Sequence, residues 1–279
     1  MRVTALSVYP VKSLEGVSLE AAAVEPRGLR GDRRWGLVEP DGTQLTAREE
    51  RALLALRAVP IGEGSVRILD REGGAITVEP PREAAPIPVG HRGQGAARPC
   101  GAEVDLWLSA RVGRHVRLVW QDDESRRPVR PDRGGETGDT LSLADAGPLL
   151  LTSDASLSRL NEWLAEGGSE PLGHDRFRPN VVIDGAAPFA EDQWDVVTVG
   201  QTAFRTTMVG DRCVMTTIDR HSLETTREPI RTLARHRGWD GATWFGTRLT
   251  PVLPLRPDAL LRVGDPVLSD GEPDAWGVS

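Results

Sequence analysis

Trp35-Gly36-Leu37-Val38-Glu39, turned by Pro40-Asp41-Gly42 into Gln44-Leu45-Thr46, reads as a β-hairpin. The same grammar extends on both sides. Upstream, Val3 to Tyr9 alternates like a strand that Pro10 ends, and Val17 to Val24 reads as a second strand. Downstream, Leu53 to Ile61 reads as a strand. Val66 to Asp70 and Ala75 to Glu79 bracket Arg71-Glu72-Gly73-Gly74 as another hairpin. Short strands at close spacing, separated by glycine and proline turns, predict a β-barrel or sandwich for this region.

Further along, residues 80–99 are rich in proline, glycine and alanine and read as a loop or inter-domain crossing. Gly101 to Val112 has helical spacing, and Arg114 to Trp120 is strand-like. The polar stretch Gln121 to Asp139, with Arg126, Arg127, Arg130 and Arg133 among acids, reads as a mobile surface loop. Pro148 to Thr152 reads as a buried strand. Ser153 or Asp154 then caps a helix that Gly167-Gly168 stops. Val181 to Ile183, Trp194 to Val199, Ala203 to Thr207, Thr243 to Leu249 and Leu260 to Val267 are further strands, and Pro229 to Arg237 is a third helix. The chain is therefore expected to be mainly β with a few helices, an α+β protein. Its expected domains are residues 1–95 and residues 96–279.

Composition narrows the function. A net charge of −7 gives no general reason to expect nucleic acid or an anionic membrane as partner, so any anion site must be a local cluster. No apolar run approaches the ~20 residues of a membrane helix. Met1-Arg2-Val3-Thr4 opens into a strand pattern rather than a signal peptide's apolar core, so a cytoplasmic location is expected. Two distant cysteines, Cys100 and Cys213, make no disulfide framework. Of 34 basic residues only Lys12 is lysine, in Tyr9-Pro10-Val11-Lys12-Ser13, which also holds the only tyrosine. A compact ammonium kept where arginine is otherwise universal points to a distinct task.

Several chemistries lack their residues. No phosphate-binding glycine motif is present, nor a Gly-x-Ser-x-Gly elbow. The five histidines show no zinc-ligand spacing. Cys213 lies in Gly210-Asp211-Arg212-Cys213-Val214-Met215-Thr216-Thr217, where the run after the thiol reads as strand-like, and three readings stay open for it: metal ligation, sulfur transfer, or an inert buried thiol. Arg212 beside it favours a thiolate. Lys12-Ser13, Arg33, Thr152-Ser153 and Arg178-x-Asn180 all fall at strand ends or tight turns. Each alone reads as a solvated strand end. Together they suit a phosphate carrying polar ring edges.

Seven short motifs occur in order: Tyr9-Pro10-Val11-Lys12-Ser13, Gly31-Asp32-Arg33-Arg34-Trp35, Thr46-Ala47-Arg48, Cys100-Gly101, Arg176-Phe177-Arg178-Pro179-Asn180, Phe189-Ala190-Glu191-Asp192-x-Trp194 and Arg212-Cys213-x-x-Thr216-Thr217. This series resembles the MOSC proteins, most nearly the subgroup that pairs an N-terminal β-barrel domain with the MOSC β-barrel domain, as in the amidoxime-reducing enzymes. The resemblance implies a molybdenum cofactor of the molybdopterin type between two β-rich lobes. It implies Cys213 as the single protein thiolate on molybdenum, and Lys12, Ser13, Arg33, Thr152, Ser153, Arg178 and Asn180 as holders of the pterin and its phosphate. The implied activity is reduction of N–O bonds in N-hydroxylated small molecules, with Cys213 at the catalytic metal. The alternative is a cofactor carrier or sulfur-transfer protein that uses a Cys213 persulfide.

Two departures matter. The amidoxime-reducing enzymes have another cysteine close before the ligand, where this chain has Gly210-Asp211-Arg212. Some bacterial relatives carry a C-terminal iron–sulfur domain, and no such cysteines follow here. Electrons are therefore expected from a separate flavin, iron–sulfur or haem reductase, with neither nucleic acid nor membrane as partner.

Overall fold

The computed structural model describes residues 1–62 and 64–270. Four sheets carry the fold, with three α-helices against them. The largest sheet has nine strands. Its central members are Arg2–Val8, Val181–Asp184, Leu149–Ser153, Ala242–Pro251 and Thr202–Asp211, in that order across the sheet. The smaller five-stranded sheet is built on Arg117–Trp120 against Trp35–Val38, which pairs in turn with Gln44–Leu45 as the hairpin reading predicts. Ala75–Val78 and Ser65–Leu69 form the second expected hairpin, extended by Arg57–Ile61.

The first strand crosses from one half of the chain to the other. Arg2–Val8 lies between Val17–Leu19 and Val181–Asp184, so the N-terminus is an interior strand of the sheet built mostly from the C-terminal half. Pro10 has no N–H to continue that ladder. The chain leaves the large sheet there and enters the smaller one, where Lys12 N–H donates to Trp35 O at 2.8 Å and Trp35 N–H to Pro10 O at 3.1 Å. Lys12 and Ser13 thus sit on the seam. Each side has its own apolar core. One packs Leu6, Val8, Leu151, Ile183, Val197 and Phe204; the other packs Val11, Trp35, Leu53, Ile68, Leu108 and Leu118.

The helices follow the sequence signals. α1 (Ala102–Val112) buries Val104, Leu108 and Val112 at i, i+4 and i+8 and ends on Gly113 in the left-handed region. α2 (Asp154–Glu166) starts at Ser153, whose Oγ accepts from Ser156 N–H at 3.1 Å. It carries the parallel crossover from Leu149–Ser153 to Val181–Asp184. α3 (Ile230–His236) packs on the Ala242–Pro251 strand.

Three local expectations are corrected. Leu53 to Ile61 is not one strand: Arg51–Ala55 is a 3₁₀ turn capped by Glu50, and the strand begins at Arg57. Leu53 and Leu54 are both buried, which strand alternation across two faces does not favour. Val214–Thr217, strand-like in composition, is also a 3₁₀ turn. Gln121 to Asp139 is tied down rather than loose. Gln121 Nε2 donates to Leu141 O at 2.8 Å, Arg127 Nη1 to Ser142 O at 2.6 Å, and Arg205 Nη1 to Gly134 O at 2.7 Å. Residues that read as solvent-facing are consumed by internal hydrogen bonds.

Candidate functional site

The seam opens into a cleft that collects side chains from distant segments. Lys12 and Ser13 reach it from the turn after the first strand, Arg33 from the next turn, and Arg178 and Asn180 from just before the Val181–Asp184 strand. Cys213 enters where the Thr202–Asp211 strand ends. The backbone is special at these points. Ser13, Arg33 and Arg178 all have positive φ (71°, 49° and 57°), a region non-glycine residues enter at some cost. Three of the six such residues among those described therefore line this one cleft.

Charge is the cleft's second distinction. Lys12, Arg33, Arg48, Arg176, Arg178, Arg212 and Arg248 line it, opposed only by Asp145 and Asp211. The excess is positive in a chain whose net charge is −7. Lys12 pairs with Asp145 and donates to Leu143 O at 2.8 Å. Burial pulls Lys12 down to about 8, against the opposing pull of Asp145. Asp211 is held by Arg248, with Arg133 at 3.5 Å.

Two guanidiniums are left without a carboxylate. Arg178 makes no ion pair among the described residues, and lies over the Tyr9 ring at 4.2 Å. Burial, then the neighbouring Arg33 charge, lowers it to about 10, so it is still a cation at neutral pH. Arg212 donates only to the carbonyl of Gly210, at 3.1 Å, and burial with Arg248 nearby lowers it to about 9. Arg176 pairs with Asp219 at 3.3 Å, but its Nη2 is buried with no partner. Half-buried cations held this way are stabilised when an anion enters.

Asn180 serves the scaffold as well as the cleft. Its Oδ1 accepts from Arg33 Nη1 and from Leu150 N–H, both at 3.2 Å, while Nδ2 donates to Ser7 O at 3.1 Å. Arg33 Nη2 then donates to Arg178 O at 3.2 Å, which couples the two arginines. Cys213 is exposed and unbonded to Cys100. Its carbonyl accepts from Thr216 N–H and Thr216 Oγ1, each at 3.0 Å, fixing the turn that follows the thiol. Cys100 is a different kind of thiol, packed against the core that holds Trp35 and Leu118, and burial raises it well above the ordinary range.

The structure brings together six of the eight residues marked in the sequence and leaves Thr152 and Ser153 outside the cleft. Both are fully buried. Thr152 Oγ1 bonds His174 Nδ1 at 2.9 Å, and His174 Nε2 meets Asp154 Oδ1 at 3.0 Å. Ser153 caps α2 and donates to Ser156 Oγ at 2.7 Å. The sequence named none of Arg48, Asp145, Arg176 and Arg248 as site residues, and Arg212 only as the neighbour that favours a thiolate. Arg48 and Arg176 lie inside quoted motifs and Arg212 adjoins the thiol, so these three had a signal. Asp145 and Arg248 had none. Among the described residues, no three His, Cys, Asp or Glu side chains gather into a metal cage. The cleft therefore offers one thiol and a cationic wall.

Known proteins share this sequence pattern. The MOSC N-terminal beta barrel domain matches residues 1–115 and the MOSC domain matches residues 138–268. Among curated relatives, molybdenum cofactor sulfurase of Danio rerio is 31% identical over 289 residues, covering 94% of this chain and 34% of that protein. Mitochondrial amidoxime-reducing component 1 of Xenopus laevis is 29% identical, covering 95% of this chain and 81% of that one. Its Homo sapiens namesake is 28% identical, covering 97% and 83%. The chain thus spans about a third of the sulfurase and most of the amidoxime-reducing components.

Proposed function

The chain belongs to the MOSC-domain proteins, with the N-terminal beta barrel domain joined to the MOSC domain, and from that membership we propose that its cleft binds a molybdenum cofactor and reduces N-hydroxylated small molecules. The observation that carries this reading is a wall of seven cations, most of them buried or half-buried, facing one exposed thiol. The residues present fit such a group. Arg178 and Arg212 lack carboxylate partners and Arg176 has a free buried N–H donor, as a site built for a phosphate requires. Cys213 is the one thiol on the cleft, and a soft thiolate suits molybdenum.

In this reading Lys12, Ser13, Arg33 and Arg178 hold the pterin and its phosphate, and Cys213 supplies the protein thiolate. Asn180 orients Arg33. Thr152 and Ser153 act at one remove, by fixing His174 and the start of α2. When bound, the cofactor supplies a two-electron redox centre. The protein supplies position, charge and a cleft open to a small substrate. Electrons come from a separate donor protein. Reduction of an N-hydroxy compound by the molybdenum-loaded protein with an artificial reductant tests this, and Cys213→Ala must abolish it. Full activity in that variant contradicts the proposal.

The sulfurase similarity and the exposure of Cys213 favour one second reading, a carrier that moves sulfur as a persulfide on this thiol. Incubation with a cysteine desulfurase separates the two. A Cys213 persulfide together with no N–O reduction selects the carrier.

A further inference from the structure

Arg48 lines the Cys213 cleft without holding any part of the scaffold. Of the seven cations along the cleft, six are buried or half-buried, while Arg48 is exposed, as Cys213 is. Its side chain keeps 34% exposure, against 7–13% for Lys12, Arg33, Arg176 and Arg248. Arg48 and the thiol thus share the open side of the cleft, with the other cations deeper in. The backbone beneath Arg48 is fixed. Thr46 N–H donates to Glu49 Oε2 and Glu49 N–H to Thr46 O, both at 3.0 Å, and Arg48 N–H donates to Thr46 Oγ1 at 3.3 Å. This reciprocal bonding is that of a capping box.

The guanidinium has no oxygen of its own. Its nearest carboxylate oxygens are Asp145 Oδ2 at 3.8 Å and Glu49 Oε1 at 3.9 Å, both beyond hydrogen-bonding distance. Each carboxylate is engaged elsewhere, Glu49 by Thr46 and Asp145 by Lys12. Against the pull of partial burial, Asp145 and then Cys213, which the guanidinium meets side chain to side chain, raise the Arg48 pKa, so the group keeps its charge. A rigid base carrying an unspent fork of N–H donors beside the thiol suits an oxygen acceptor that arrives from solvent. A guanidinium does not give up its proton near neutral pH. It therefore stabilises charge on that oxygen and does not serve as the acid.

We propose that Arg48 grips the oxygen of the N-hydroxy substrate at the mouth of the Cys213 cleft, donating to it as the N–O bond breaks. The inference rests on the reading of the cleft as a reductase site, and its test separates the two. In the reaction R–NHOH takes two electrons from the reductant and two protons from solvent, the N–O bond breaks, and R–NH2 and water leave. The molybdenum-loaded full chain is titrated calorimetrically, without reductant, with benzohydroxamic acid and with benzamide, which lacks the nitrogen-bound oxygen. Arg48→Gln keeps wild-type molybdenum and pterin content, weakens benzohydroxamic acid about 10-fold and leaves benzamide unchanged. With an artificial reductant its kcat/KM for benzohydroxamic acid falls about 100-fold, more than binding does, because the bond strengthens as the oxygen gains charge. Arg48→Lys, which keeps a charged donor, recovers part of both losses. Molybdenum or pterin lost from Arg48→Gln makes Arg48 a cofactor holder and overturns the proposal. Unchanged affinity for benzohydroxamic acid, or an equal loss for both compounds, overturns it too and leaves the reductase reading standing where the wild type turns over. Arg48-dependent, oxygen-selective binding without turnover upholds the grip and rejects the reductase reading.

Discussion

Arg178 is a cation that the fold itself does not neutralise. It lies over Tyr9 beside a second guanidinium, with no carboxylate of its own. Retaining such a charge costs the empty protein stability and serves binding of an anion. The two effects have opposite signs on mutation. Arg178→Leu is expected to raise the melting temperature of cofactor-free protein by about 2–4 °C, the shift that ~1 kcal/mol gives at this chain length. It lowers cofactor loading about tenfold or more. Thermal melts and pterin analysis on the same preparation check both. Lys12 adds a pH dependence. The unfolded chain holds its proton up to about 10.5 while the folded chain releases it near 8. Between those values the unfolded state binds more protons, so this residue makes cofactor-free stability rise with pH. Anion binding runs the other way: loading weakens as pH rises through about 8, and Lys12→Arg moves that loss upward. A loading titration that is flat from pH 7 to 9 in the wild type excludes Lys12 as an anion ligand. Both residues were legible in the sequence, Lys12 as the lone lysine after a strand-ending proline and Arg178 as part of a strand-end motif. Asp145 and Arg248 were not, because only the fold carries them to the cleft. Asp145 meets Lys12 across 133 positions, and Arg248 reaches Asp211 through the ladder of two long strands.

At the scale of elements, the cleft depends on where strands stop. Pro10 ends the first strand and Pro179 precedes the Val181–Asp184 strand, so the turns between sheet and cleft are written in residues that cannot continue a ladder. That is why the approximate positions of the strands and helices could be read from pattern. Two short turns were misread for a common reason. Leu53–Leu54 and Val214–Thr217 have apolar or β-branched composition, and only packing shows that they coil into 3₁₀ turns. Thr152 and Ser153 illustrate the converse. Their hydroxyls suggested ligands, but the strand they end delivers them to His174 and to the α2 cap. Asn180 is the joint between elements, accepting from Leu150 and Arg33 and donating to the first strand. Asn180→Ala leaves buried donors and an acceptor unpaired. It is expected to cost about 1–3 kcal/mol in denaturant unfolding and to lower loading through Arg33. Unchanged stability would show that these bonds do not hold the strands in register.

Across the whole molecule, the mainly β architecture with three helices was legible from periodicity and turns, while the role of the N-terminus was not. The strand Arg2–Val8 looks like the start of a first domain, yet it is interior to the sheet of the second half. Pairing over about 180 positions leaves no local trace in sequence. That crossing builds the seam, and the seam gathers seven cations around one thiol in an acidic chain. The central claim is that this arrangement holds a molybdenum cofactor through Cys213. Its most direct test is the molybdenum content of freshly purified protein from cells that make the cofactor, for wild type and Cys213→Ser together. The account predicts molybdenum approaching one equivalent per chain in the wild type and a large loss in the variant. Wild-type protein free of molybdenum, or a variant that loads as fully as the wild type, would contradict it.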